Sequence, residues 1–207
     1  ALHDGWTMAV LPAGSCVTPD AAAKSGTWIS ACVPGTAAQS LREAGLWSLE
    51  NPDPLHSNDI WYKRAAQLKA GTILHFEGLA TIAEIWLDGC KAAESRSMFL
   101  PLDIKLEQDV QERISIVFRS LDAHLTAEKG KRARWRTSLV DNQALRFVRT
   151  TFLGHMPGWC PEVDIIGPFR SITTSTLHTI STGDINLYII FLINILNIRQ
   201  WGFGVLG

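Results

Sequence analysis

The sequence is short of charge, lacks an excess of either sign, and has no long apolar run. Charged residues make up 19% of the 207 and the formal net charge is -1, so no global field draws the chain to nucleic acid or to acidic lipid headgroups. The one basic cluster is KGKRARWR at residues 129–136; it reads as a solvated loop between strands, with phosphate contact the lesser alternative. Cysteine is scarce, with Cys16, Cys32, Cys90 and Cys160 the four present. None forms a CxxC pair or stands at zinc-site spacing. They read as buried free thiols of a reducing cytoplasm, although an even count also permits two disulfides. The opening ALHDGWTMAV has neither the basic start nor the apolar stretch of a secretory leader, which again favours the cytoplasm. The apolar stretch INLYIIFLINILNI at residues 185–198 would span about 21 Å as a helix, against a hydrocarbon core of about 30 Å. No membrane span is expected.

What is present is apolar material and turns. A hydrophobic content of 46% suits one globular domain with a sizeable core, or one domain and an appendage. Residues 72–77 (TILHFE), 83–87 (AEIWL) and 113–119 (RISIVFR) alternate apolar and polar side chains in whole or part, the period of a half-buried strand. Pro34-Gly35, Asn51-Pro52-Asp53-Pro54, Asp88-Gly89 and Pro157-Gly158 punctuate them. Asp88-Gly89 directly after a strand predicts a tight hairpin of the type that needs positive φ at both central residues. At Pro34-Gly35 a sharp turn is expected, with φ fixed at Pro and positive at Gly. Residues 36–44 (TAAQSLREA) predict one short helix ending at Gly45. Many short strands, frequent turns and little helix argue for an all-β antiparallel sandwich. Trp28, Trp61 and Trp86 read as core side chains, with Trp61 and Tyr62 on opposite faces of one strand, one inward and one partly outward. Composition shifts near Ser175, which suggests a sandwich domain over residues 1–174 and an atypical apolar tail over 175–207. That tail reads as the start of a further domain, or as a truncation or frameshift product.

Several segments, in order, carry a family resemblance. They are WISACVPGT at residues 28–36, NPDP at 51–54 leading into DIWYKR at 59–64, and LHFEGL at 74–79 followed by AEIWLDG at 83–89. Ser97-Met98-Phe99 follows, then Gly158-Trp159 and finally Gly167-Pro168-Phe169-Arg170. Together these resemble the N-terminal, sugar-binding-type domain of family 2 glycoside hydrolases, particularly the β-mannosidase-like branch, over roughly residues 6–172. The resemblance implies a jelly-roll sandwich of the galactose-binding-domain-like kind. It also implies a non-catalytic domain that packs against a TIM barrel and lends loops to a sugar pocket, with a β-mannoside or β-galactoside as the carbohydrate.

Retaining glycoside hydrolysis needs two carboxyl groups about 5 to 5.5 Å apart. In the resembled family both lie on the barrel, which takes about 250 residues, more than this whole chain. Glu84 with Asp88, and Glu162 with Asp164, are the pairs within this sequence, and neither pattern suggests one raised and one ordinary carboxyl. No catalytic residue, cofactor or metal is therefore expected. The resembled family has a G-W-D-W-G-P loop whose Asp binds a sugar hydroxyl. Here Trp159 matches the first Trp and Cys160 replaces the Asp, so that role does not transfer to a thiol. Glu162 is the candidate substitute, with His155 and Arg149 as donors from an adjacent strand. The stiff loop at residues 51–59 offers a second piece of the rim through His56 and Asp59. Its oxygens and single imidazole lack the Gly-centred geometry of a calcium loop. A free-standing carbohydrate-binding module and a protein-interaction sandwich are the alternative readings.

Overall fold

The computed structural model describes residues 1–127 and 136–176. Almost all of the basic cluster and the whole apolar tail at 185–198 lie outside the described residues. The described residues up to Ser175 form one compact unit. Within the described residues run β1 (Thr7–Pro12), α1 (Pro19–Ala23), β2 (Ile29–Ser30), α2 (Ala37–Glu43), β3 (Asn58–Ala65), β4 (Thr72–Phe76), β5 (Ala83–Leu87) and β6 (Cys90–Ser95). They are followed by β7 (Leu102–Lys105), β8 (Arg113–Phe118), α3 (Leu121–Ala127), a 3-10 turn at Gln143–Phe147 and β9 (Ile172–Thr176). The strands form a six-stranded sheet, order β2-β1-β3-β8-β5-β6, and a three-stranded sheet, order β7-β4-β9. Every strand pair whose register is described is antiparallel. The fold is the expected all-β sandwich with little helix.

Alternation along the strands builds the core. In β3, Ile60 and Tyr62 face inward; in β8, Ile114, Ile116 and Phe118 do; in β5, Ala83 and Ile85 do. They meet Leu74, Phe76 and Ile172 of the smaller sheet in one cluster. Register keeps these sets together, since Met8 pairs with Tyr62, Ile60 with Phe118, and Ile85 with Ile116. A one-residue slip would turn each set to the opposite face. Each buried aliphatic or aromatic side chain here stabilises the fold by about 1.5–3 kcal/mol.

The opposite face of β3 departs from expectation. Trp61 is as buried as Tyr62, at 1% and 0% exposure, because α1 and the segment before it cover the outer face of the large sheet. Leu11, Cys16, Ala22, Trp61 and Val117 form a second apolar cluster there, with Trp28 and Trp86 packed against it. Lys63 Nζ lies 3.7 Å from the Trp28 ring centroid, a cation–π contact that leaves that ring face unavailable as a sugar platform. α1 had no clear apolar period in the sequence; Thr18 caps it and Pro19 opens it.

The expected helix and hairpin form as read. Thr36 caps α2 by accepting from the Gln39 N–H, and Ala44 closes it. Asp88 and Gly89 take φ of 45° and 83° between β5 and β6. Gly35, by contrast, does not take positive φ. What demands glycine there is proximity: a Cβ would sit 2.8 Å from the Cys32 carbonyl oxygen. The cysteines are all free, but only Cys16 is buried, and Cys90 is exposed.

The family-like motifs converge on residues 166–171. Gly35 N–H donates to Pro168 O, Ala37 N–H to Ile166 O, Glu77 N–H to Ser171 O, and Ala80 and Gly167 exchange a pair of backbone bonds. Gly167 has φ of 131°, and a Cβ there would meet the Tyr62 hydroxyl at 2.9 Å and Gly35 O at 3.0 Å. Segments far apart in sequence thus share one knot of backbone bonds at the end of the sandwich.

Candidate functional site

Two loops meet at the edge of the sandwich, residues 51–57 ahead of β3 and residues 154–164 ahead of β9. Asp164 joins them. Its Oδ2 accepts the backbone N–H of Leu55 at 2.6 Å and of His56 at 2.8 Å. The first loop is held further by Trp47 Nε1 donating to Asp53 O at 3.2 Å, and by Ser120 Oγ and Asp122 N–H donating to the His56 carbonyl. The start of α3 therefore grips the same residue that Asp164 grips from the other side.

The two imidazoles stack here. The His56 and His155 rings lie 4.9 Å apart at 13°, and His56 Nε2 is 3.5 Å from Asp164 Oδ1, long for a hydrogen bond. Burial pushes the His56 pKa down to about 4; the Asp164 charge opposes that shift and His155 adds to it. His155 is lowered as well, again by burial, against the pull of Asp164 and Asp122. Burial raises the Asp122 carboxyl, helped by the Asp164 charge and opposed by His155. Both histidines are thus neutral near pH 7 and serve as packed, polar plugs between the loops.

The second loop is tied within itself. Gly154 has φ of 85°, and a Cβ there would overlap the Val163 carbonyl oxygen. Its N–H donates to Cys160 Sγ at 3.2 Å, and that thiol reaches Met156 O at 3.7 Å. Cys160 is turned into the loop, where it fastens the base. Trp159, next to it, is 77% exposed. Glu162 and Arg149 are also exposed.

The six candidate residues separate into three groups. His56 and His155 come together, His56 buried and His155 half-buried against it, and His155 lies in a turn rather than on a strand. Trp159, Glu162 and Arg149 present their side chains to solvent. Asp59, at 2% exposure, is a buried tether between segments. It accepts Gly14 N–H at 3.1 Å, Ser120 N–H at 2.9 Å and Arg119 Nη1 at 2.9 Å. Arg119 also reaches Glu84 at 2.7 Å and Cys16 O at 3.0 Å.

Neither carboxylate pair in the sequence has the character of an acid–nucleophile couple. Burial raises Glu84, but hydrogen bonds from Arg119 and Lys91 outweigh it and hold the carboxyl below its ordinary value. At Asp88 burial is likewise outweighed, by three backbone N–H groups at 2.7 to 3.0 Å from Gln111, Glu112 and Arg113. Asp164 is engaged by loop backbone, and Glu162 stands in solvent. The two residues that sequence reasoning missed are Asp164 as the joint and Asp122 beside it; an isolated acid in a loop carries no signal of either role. Among the described residues no group of three or more His, Cys, Asp or Glu side chains is placed to hold a metal.

The chain matches the family profile described as glycosyl hydrolase 2 galactose-binding domain-like over residues 18–170. Among solved structures, the β-D-mannosidase from Dictyoglomus thermophilum is 22% identical, with a TM-score of 0.65 over 84% of this chain and 22% of that one. A family 2 β-galacturonidase from Eisenbergiella tayi is 14% identical, with a TM-score of 0.49 over 86% and 24% of the two chains. A β-glucuronidase from Faecalibacterium prausnitzii is 17% identical, with a TM-score of 0.48 over 85% and 31%. No curated protein matches. The likeness to the mannosidase is one of fold, and the chain spans between about a fifth and a third of these structures' lengths.

Proposed function

Because the chain belongs to the glycosyl hydrolase 2 galactose-binding-domain-like family, we propose that it serves a glycoside hydrolase as its N-terminal, non-catalytic sandwich. In this reading it docks against a TIM-barrel domain and holds the 154–164 loop at the rim of the barrel's sugar pocket. The observation that carries the reading is Trp159, an exposed indole on a loop whose base is fixed by Cys160 and Asp164. A rigid aromatic side chain contributes contact area to a sugar ring at low entropic cost. Glu162 and Arg149 supply an acceptor and a donor for hydroxyl groups in the same region. The substrate class is a β-mannoside or β-galactoside, with the choice of sugar left to the barrel, and the setting is carbohydrate metabolism.

The test pairs the purified chain with nitrophenyl β-mannoside and β-galactoside, alone and with a family 2 β-mannosidase lacking its own N-terminal domain. Alone, no turnover is expected. With the truncated partner, activity is expected to rise, and Trp159→Ala is expected to remove on the order of tenfold of that gain by raising KM. Turnover of either glycoside by the chain alone overturns the reading. Tight glycan binding without any effect on the partner would favour a free-standing carbohydrate-binding module instead.

A further inference from the structure

On the outer face of the smaller sheet, three side chains from three strands form one hydrogen-bonded line. Asp103 of β7 stands directly opposite His75 of β4, and His75 Nδ1 lies 2.8 Å from Asp103 Oδ1. On the other side, His75 Nε2 lies 2.7 Å from Ser175 Oγ of β9. The strand order β7-β4-β9 puts the imidazole in the middle. Chemistry then sets the protons. A carboxylate only accepts, so Nδ1 carries the ring proton; in a neutral ring Nε2 holds a lone pair and accepts from the serine hydroxyl. Nucleophile, base and orienting acid thus stand in sequence, with the base bonded on both sides. None of the three takes part in the proposed sugar pocket.

We propose that Ser175, His75 and Asp103 form a nucleophile relay, with Ser175 the acyl acceptor from small activated esters. In acylation Ser175 Oγ attacks the ester carbonyl carbon while its proton passes to His75 Nε2, and Asp103 stabilises the imidazolium that forms. The tetrahedral intermediate collapses by breaking the bond from carbonyl carbon to the leaving oxygen, which departs with the proton from Nε2. Water then attacks acyl-Ser175 with the same proton path, releasing the acid and restoring the hydroxyl. β9 is an edge strand among the described residues. In this relay the oxyanion would take its donors from the N–H groups of that strand that point away from β4. Asp103 and Ser175 are both exposed, so the site suits unhindered esters with good leaving groups.

The whole chain is treated with a fluorophosphonate probe and, separately, with p-nitrophenyl acetate. The probe is expected on Ser175 by peptide mass spectrometry, and Ser175→Ala is expected to slow nitrophenolate release by on the order of tenfold or more. His75→Gln should lower both readouts by a similar factor, and Asp103→Asn by a smaller one, with melting temperatures unchanged. Labelling of the unaltered chain decides the matter even where a variant fails to fold. Absence of the probe from Ser175 overturns the relay. So does hydrolysis that survives Ser175→Ala, which would mean that an imidazole reacts by itself, or equal labelling in His75→Gln.

Discussion

His56 shows how one buried side chain makes stability depend on pH. Its folded pKa is lowered to about 4 from an ordinary value near 6.5, so between these values the unfolded chain binds more protons than the folded one. Stability is therefore fully present above about pH 6.5 and is lost as pH falls toward 4, by up to about 1.4 kcal/mol per pH unit for one such group. His155 acts in the same direction. Asp122, whose folded pKa is raised, acts in the opposite one, but only in the acid range above the ordinary carboxylate value. Thermal unfolding from pH 7.5 to 5 should show a falling midpoint. His56→Gln should flatten that slope even though it costs stability at neutral pH. An unchanged slope would mean that the imidazole stays solvated. The pair was legible in the sequence only as a loop histidine and a second histidine expected on a strand, 99 positions apart; nothing in their local contexts says that the rings stack.

At the level of the element, the 154–164 loop depends on one glycine and one thiol. Gly154→Ala places a methyl group against the Val163 carbonyl at a φ of 85°, so the loop must move. The expected cost is about 1–3 kcal/mol in denaturant unfolding, together with a shift in Trp159 fluorescence. Trp159→Ala should change stability by no more than about 0.5 kcal/mol, because the indole is in solvent. Retained stability and unchanged fluorescence in Gly154→Ala would show that the loop's base is not the closed turn described. The neighbouring elements were far easier to read. The β5–β6 hairpin follows from Asp88-Gly89 alone, and α2 follows from Thr36 and the residues after it, because both are local backbone preferences.

Across the whole molecule, Arg119 connects segments that no local rule relates. It joins Asp59 at the start of β3, Glu84 of β5 and the Cys16 carbonyl, while lying over the Trp61 ring. Arg119→Ala leaves Asp59 buried with its charge unpaired, and a loss of about 3–5 kcal/mol is expected in equilibrium unfolding. Asp59→Asn together with Arg119→Met should recover part of that loss, since no buried charge is then left alone; failure to recover it would place the cost elsewhere. By itself the sequence determined the strand periods, the hairpin, the short helix and the family motifs, since each is written in adjacent residues or in spacings that repeat along the chain. The tertiary structure alone decided that Trp61 is covered by α1 and that Asp59 ties Gly14, Arg119 and Ser120 together. It alone joined two loops through Asp164 and aligned Asp103, His75 and Ser175 across three strands. These depend on which surfaces pack together and on register between distant segments, and a one-dimensional pattern holds neither.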